Sequence, residues 1–365
     1  MIRHLYVHIP FCVKLCPYCS FHVEMPGGNK SRRFLDALLL ELEKQRDAFG
    51  LKPRTIFLGG GTPTMLSISE LEYLLGGIRS RLDLSELAEW TIEINPATVS
   101  AEKARMLRGI GVTRASMGVQ SWDDATLKTL GRTHSGAQAE RTFAILREAG
   151  FGNINLDLMF AVPGQTPAQW RSSLNKTIAL APDHVSAYCL TYEQDTEFFR
   201  KLGAGEFAQD DERDAVMFET AMDALPAAGF AQYEISNYAR PGSESLHNMA
   251  CWNGDDYLGL GPSAFSTVGA RRWQNVPDSA EYARRVFADE PVFSFEENLS
   301  PGTRSGEIAA FGIRTARGLP RADVEPWRAQ IAELESLGLL ENRGNRIVLT
   351  RRGKLLADSV AEAFV

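Results

Sequence analysis

The sequence predicts an α/β fold: a parallel sheet flanked by helices, then a small winged-helix-like C-terminal domain. Short β-rich runs alternate with amphipathic helical patterns as far as residue 240. Repeated βα units of that kind imply parallel strands with helices outside. From Thr303 the alternation gives way to helix, helix, hairpin, helix. A chain of 365 residues suits two domains, or one large domain with an appendage, at about 150 residues per domain.

Leu5–Ile9 reads as the first strand, a β-branched run that Pro10 ends. Arg32–Phe49 follows as a helix, with Phe34, Leu35, Leu38, Leu39 and Leu42 at helical spacing. Thr55–Leu58 is the next strand and Ser69–Arg81 the next helix. The series continues with strand Trp90–Ile94, helix Ala101–Gly109, strand Arg114–Val119 and helix Ala137–Ala149. Strand Ile154–Met159, helix Pro167–Leu180 and strand His184–Leu190 come next, and helix Asp211–Ala228 and a short strand Tyr233–Ile235 close the set. Units in this number suffice to close a full or partial TIM-like barrel; the rival is an open doubly wound sheet. Either arrangement puts function at the carboxyl ends of the strands.

Residues 241–300 are rich in Gly, Pro, Asn and Ser and read as a loop-heavy linking segment. Beyond it, Gly306–Ala316 and Pro326–Leu337 read as helices, Leu339–Glu341 and Ile347–Thr350 as a hairpin turning at Arg343–Asn345, and Arg352–Phe364 as a last helix. The expected division is therefore 1–240, 241–300 and 301–365, with the last unit a packing appendage.

Lys plus Arg number 39 against 46 Asp plus Glu, a net charge of −7, which argues against a nucleic-acid partner. No apolar run approaches the ~18–20 residues that span a bilayer. His4, His8 and Pro10 interrupt what would have to be a signal peptide's apolar region. The expected location is the cytoplasm. The five cysteines are 12, 16, 19, 189 and 251. An odd number with three in one short segment reads as metal-binding or redox, not as a disulfide framework.

Cys12, Cys16 and Cys19 follow the first strand directly and can converge on one metal centre from a single loop. Thiolates suit iron–sulfur clusters and zinc. A [4Fe–4S] cluster on three thiolates leaves one iron open to a small chelating molecule, whereas a zinc site would recruit His8 or His22 as fourth ligand. Cys189 lies in an apolar strand and is expected in the core.

Gly59, Gly60 and Gly61 follow a strand and allow close backbone approach and positive φ. Glu93 and Gln120 fall at the ends of two strands, and Asp157 sits within a third. Polar side chains there read as site residues, and together they favour a shared pocket.

The Cys12-x3-Cys16-x2-Cys19 spacing, with Tyr18 before the third cysteine, resembles the radical S-adenosylmethionine (radical SAM) superfamily. Tyr6–Cys12, Gly59–Pro63, Gly118–Ser121, Asn155–Met159, Pro163–Thr166 and His247-Asn248 narrow the resemblance to its HemN/HemW branch. That resemblance implies a radical SAM type of barrel carrying a [4Fe–4S] cluster, with SAM chelated at the open iron and cleaved to methionine and a 5′-deoxyadenosyl radical on reduction. It also implies that Gly60, Gly61 and Thr62 hold the methionyl end of SAM. Glu93, Gln120, Asp157 and Arg132 match further SAM contacts, and Tyr6 a binding position at the barrel mouth. His8 is divided between barrel packing and support of that site.

Within the branch, coproporphyrinogen dehydrogenases carry an extension before the first strand and another cysteine two residues after the third. Here the strand begins within five residues of Met1, and Phe21 holds the second position. His247-Asn248-Met249-Ala250-Cys251-Trp252 resembles the His-Asn-x-x-Tyr-Trp pattern of HemW proteins, with Cys251 in place of Tyr. The resemblance implies a haem chaperone, with His247 a candidate haem-binding residue and Cys251 an added ligand, a replacement for one, or a small buried residue. Expected partners are haem, haem-accepting proteins and a reductant such as a flavodoxin or ferredoxin, with peripheral membrane contact and a homodimer left open. The alternatives are oxygen-independent coproporphyrinogen III oxidation and another HemN-like radical reaction.

Overall fold

A computed structural model describes residues 1–25 and 29–365. The βα alternation is realised as β1 (His4–Ile9), α1 (Asn29–Phe49), β2 (Thr55–Gly60), α2 (Ile68–Arg81), β3 (Glu89–Ile94), α3 (Ala101–Ile110) and β4 (Arg114–Gln120). Two helices, α4 (Asp124–Thr129) and α5 (Gly136–Glu148), lead to β5 (Asn153–Phe160), α6 (Pro167–Leu180) and β6 (His184–Cys189). Then come α7 (Glu197–Gly203), α8 (Asp211–Ala227), β7 (Ala231–Gln232) and β8 (Asn237–Ala239). The strand expected at Tyr233–Ile235 is instead the turn between these last two.

Segment 241–300 is not loop-heavy. It holds α9 (Leu246–Trp252), β9 (Leu258–Leu260), β10 (Phe265–Val268), β11 (Arg271–Asn275), α10 (Ser279–Ala288) and β12 (Phe293–Asn298). Its glycines are structural: a Cβ on Gly259 would meet the Phe265 carbonyl oxygen at 2.1 Å, so the close packing of β9 on β10 requires Gly there. The C-terminal unit runs α11 (Pro301–Ile313), β13 (Leu319–Pro320), α12 (Arg328–Ser336), β14 (Leu340–Arg343), β15 (Arg346–Leu349), α13 (Arg351–Leu355) and α14 (Ala357–Glu362). The single helix expected at 352–364 is thus two. Ile313, Val324, Ile331, Ile347 and Val360 form a separate small core there.

The main sheet has the order β7-β8-β6-β5-β4-β3-β2-β1-β9. β1 to β6 pair in parallel, each with the next; β9 adds parallel to β1, and β8 adds antiparallel to β6. The order ends on two free edges, so hydrogen bonding leaves a partial barrel rather than a closed one. The 241–300 segment therefore contributes an edge strand to that sheet.

Strand alternation sorts the two faces. Leu5, Val7, Ile56, Leu58, Ile92, Leu156 and Leu158 are wholly buried against the helical layer, where burial of each is worth about 1.5–3 kcal/mol. The alternate residues, including His4, Tyr6, His8, Glu93, Ser116, Asn155, Asp157 and His184, form the other face, which carries the polar network. Helices start where the sequence supplies caps: Ser67 with Glu70 on α2, Ser135 with Gln138 on α5, and Thr166 with Gln169 on α6 each form a capping box.

Candidate cofactor site

Pro10 ends β1, and the chain then makes a loop whose two ends are tied together. The Cys12 N–H donates to the Glu24 carbonyl (3.0 Å), and the Glu24 N–H donates to the Pro10 carbonyl (2.7 Å). Within it, the Cys19 N–H donates to the Cys16 carbonyl (3.0 Å), which turns the second and third thiols toward one region. The loop sits at the carboxyl ends of β1 and β2. Cys12, Cys16 and Cys19 all line one cavity of about 190 Å³, together with Gly60, Gly61, Thr62, Glu93, Gln120, Arg132 and Asp157. Sequence reasoning thus named ten residues that the fold brings together.

Burial raises the thiol pKa of Cys12 and pushes that of Cys19 up to about 11. A bound metal would displace those protons. Among the described residues no three His, Cys, Asp or Glu side chains surround a single metal-ion position.

The glycine turn is sterically specified. A Cβ on Gly60 (φ +101°) would lie 2.4 Å from the His8 ring, and one on Gly61 would lie 2.8 Å from the Ile9 and Phe11 carbonyl oxygens. The Gly60 N–H donates to Glu93 Oε2 (3.2 Å), the Gly61 N–H to Ile9 O (2.8 Å) and the Thr62 N–H to Phe11 O (2.8 Å). These three backbone donors are therefore committed within the protein. The Thr62 hydroxyl also lies 3.5 Å from Cys12 Sγ.

Two carboxyls share the cavity. Burial and then the neighbouring Asp157 push Glu93 up to about 8, while burial raises Asp157. Asn155 Nδ2 donates to Asp157 Oδ1 (2.6 Å), and Ser116 Oγ to its other oxygen (3.5 Å). Gln120 occupies a left-handed backbone conformation (φ +66°) at a bulge against β5, and its side-chain oxygen accepts from Tyr188 (2.5 Å). The Arg132 guanidinium donates to the Gly118 carbonyl (2.9 Å) and approaches Cys16 Sγ (3.9 Å), while its Nε has no partner. Three thiols on one loop, a glycine turn lining the same cavity, and an orphaned guanidinium donor fit a thiolate-ligated cluster with an amino-acid-like ligand beside it.

Tyr188 and Ser116 also line this cavity and were not singled out from sequence. Ser116 and Tyr188 lie on strands whose alternation puts them on the polar face of the sheet, a signal that marks the face but not the cavity.

Two expected site residues lie elsewhere. Tyr6 does not line the cavity; its hydroxyl pairs with His8 Nδ1 (3.1 Å) and its ring stacks on Phe57. His8, pushed down to about 4 by burial, sits between that hydroxyl and the His22 carbonyl (3.3 Å). His247 is at the opposite end of β2. Its Nδ1 pairs with the Thr55 hydroxyl (2.9 Å), its ring lies 5.2 Å from that of Phe57, and burial pushes its pKa down to about 3. From Thr55 to Gly60 the strand runs roughly 17 Å at about 3.3 Å per residue. The Glu89 carboxylate accepts the Leu246 and His247 N–H groups (2.9 and 3.1 Å) and so fixes the start of α9.

Cysteine expectations also change. Cys189 is exposed at the end of β6 rather than in the core. Cys251 lines a second cavity of about 340 Å³, whose walls include Trp252, Tyr257, Phe265 and Phe311. Burial pushes its thiol up to about 11. Arg272 and Arg304 border this cavity, both engaged with Glu307 (2.6 and 3.9 Å). Among the described residues no helix is long and apolar enough to cross a membrane.

Comparison with known proteins gives concordant results. A family model described as "Radical SAM superfamily" matches residues 6–176. A protein of Mycobacterium tuberculosis named "Heme chaperone HemW" is 37% identical over 99% of this chain and 94% of its own length. Proteins of the same name from Bacillus subtilis (35% identical, covering 100% of this chain and 99% of the relative) and Escherichia coli (33%, covering 99% and 97%) match similarly. The structure of coproporphyrinogen III oxidase (HemN) from Escherichia coli, a radical SAM enzyme, superposes with a TM-score of 0.87 at 24% identity, covering 100% of this chain and 90% of that one. That likeness concerns the fold.

Proposed function

Because this chain belongs to the HemW family of the radical SAM superfamily, we propose that it binds haem and hands it to acceptor proteins. A [4Fe–4S] cluster and SAM, which the superfamily implies, are assigned to the first cavity, with Cys12, Cys16 and Cys19 as cluster ligands. Gly60, Gly61 and Thr62 receive the amino end of SAM, while Glu93, Gln120, Asp157 and Arg132 line the rest of its seat. Bound there, cluster and SAM supply one-electron chemistry. The chain's own part is to orient both and to shield them: Glu93 beside Gly60, the Tyr188–Gln120 pair and the apolar side chains of Leu15 and Phe21 line the cavity.

The observation that carries the haem reading is the second cavity. It is apolar and aromatic, lies on the helix that bears the His-Asn motif, and presents a thiol. Thiolate is a haem-iron ligand. His247, engaged with Thr55 inside the barrel, is a less suitable ligand than Cys251 on this reading. Since the two arginines at the cavity already hold Glu307, haem would be retained there by apolar contact and the iron–sulfur bond rather than by new ion pairs. Reductant and haem acceptor belong to the same proposal.

Haem titration of the cluster-loaded protein, read by absorbance retained through gel filtration, tests this. The wild type is expected to keep haem, and Cys251→Ala to weaken retention by roughly tenfold or more, about 1.4 kcal/mol. With SAM, a strong reductant and coproporphyrinogen III, no protoporphyrinogen is expected. A protein that keeps no haem, or that forms that product, refutes the chaperone reading.

A further inference from the structure

We propose that Arg132 raises the reduction potential of the cluster by holding its guanidinium charge against the sulfur of Cys16. This rests on the assignment of a cluster to the cysteine loop and goes beyond the use of Arg132 as a SAM contact.

Two short segments are brought together to make the contact. Gly131 adopts a left-handed conformation (φ +68°), and a Cβ there would sit 2.7 Å from Pro17 Cδ. Only a glycine lets the arginine's segment lie against the cysteine loop. Arg132 then anchors one nitrogen on the Gly118 carbonyl (2.9 Å) and sets another 3.9 Å from Cys16 Sγ. That N···S approach is long for a hydrogen bond, so its weight is electrostatic. The group is partly shielded from water, where a unit charge at about 4 Å counts for several times its value in bulk solvent.

Other charges near the cysteines do not duplicate this role. Burial and Arg132 itself hold His134 neutral near pH 7, pushing it down to about 4. Glu93, pushed up to about 8, is mostly protonated there and so does not cancel the arginine. Lys14 is exposed on the loop, and solvent and salt screen it. Thr62, beside Cys12, contributes a neutral hydroxyl.

A thiolate-ligated cluster gains one negative charge on one-electron reduction. A fixed cation beside a ligand sulfur stabilises the reduced form more than the oxidised form, and so raises the potential. A lysine in the same place would keep the charge but lacks the fork that reaches both the Gly118 carbonyl and the sulfur.

The test is a mediated potentiometric titration with dithionite, followed by electron paramagnetic resonance, on full-length anaerobically reconstituted protein without SAM or haem. Iron content and visible absorbance establish equal cluster loading. The expected order of midpoint potentials is wild type highest, Arg132→Lys lower and Arg132→Gln lowest. Lys14→Gln is expected to stay at the wild-type value. Equal midpoints for wild type and both Arg132 variants overturn the inference. Should Arg132→Gln fail to hold a cluster, a second charge-removing variant, Arg132→Met, decides: a lower midpoint supports the proposal and an unchanged one overturns it. Failure of the wild type to take up a cluster overturns the cofactor assignment instead, and this inference with it.

Discussion

Removing the His247 imidazole takes away a ring packed 5.2 Å from Phe57 and one of the two histidine partners of the Thr55 hydroxyl, the other being His4. His247→Ala is therefore expected to destabilise the fold by about 2–4 kcal/mol, from the cavity left and the partner lost. Cluster content and haem retention should fall together as the folded fraction falls. Urea unfolding alongside iron content and haem absorbance checks this. Selective loss of haem with unchanged stability would make His247 a ligand after all. The motif spacing announces His247 as special, but whether a histidine serves a ligand or a fold depends on what its two nitrogens meet. Cys251 shows the converse: a residue that departs from the motif faces a cavity, beside Trp252, which keeps to it.

At the scale of elements, the cysteine loop is not held by its own sequence alone. Helix α7, which carries no sequence signal strong enough to be read in advance, buttresses it. The Phe198 N–H donates to the Pro17 carbonyl (3.0 Å), and the Phe198 ring is buried beside Tyr18, with ring centres 6.2 Å apart. Leu130, Met159, Val162 and Leu190 complete this small apolar cluster. Phe198→Ala is expected to cost about 3–5 kcal/mol. Because the cluster lies beneath the loop and apart from the main core, cluster uptake should fall more than helical content. Circular dichroism compared with iron stoichiometry distinguishes the two, and a parallel loss of both would show that α7 supports the whole barrel. Short helices such as α4 and α7 escape sequence reading because their stability comes from packing more than from periodicity. Segment 241–300 escaped for a related reason: its Gly, Asn and Ser content looks like loop until the close approach of β9 to β10 and of Gly261 to the His8 carbonyl, 2.5 Å from a Cβ placed there, shows what the glycines are for.

At the scale of the molecule, buried titratable groups set opposing pH limbs. Burial pushes Glu41 up to about 7 from 4.5, although Tyr282, the Gly261 N–H and Asn275 oppose it, and Glu93 rises to about 8. An acid raised in the fold contributes its stability fully below the unfolded pKa and loses it as pH rises through the folded value. His8 and His134 are pushed down to about 4 and His247 to about 3, so each contributes above 6.5 and loses that contribution as pH falls through its folded value. Stability is therefore expected to peak near pH 6.5 and to decline toward pH 8. Glu41→Gln should flatten the alkaline limb, gaining on the order of 3 kcal/mol relative to wild type between about pH 5 and pH 8. Urea midpoints across that range measure it; an unchanged difference between the two proteins would remove Glu41 as a cause.

The sequence by itself determined the βα alternation, the parallel sheet, the cysteine loop and ten of the residues that line its cavity. Most of these follow from local rules: strand and helix periods, caps, a proline that ends β1, and residue types whose chemistry has few other uses; Thr62 and Arg132 come from the family resemblance alone. Only the tertiary structure decided that the barrel stays open at two edges, that β9 closes on β1, that Tyr6 and His247 belong to the polar interior, and that Cys251 faces a cavity while Cys189 faces solvent. Those outcomes depend on contacts between segments far apart in the chain, such as Thr55 with His247 and Glu89 with α9, and a local pattern fixes which face a side chain occupies but not what it meets there.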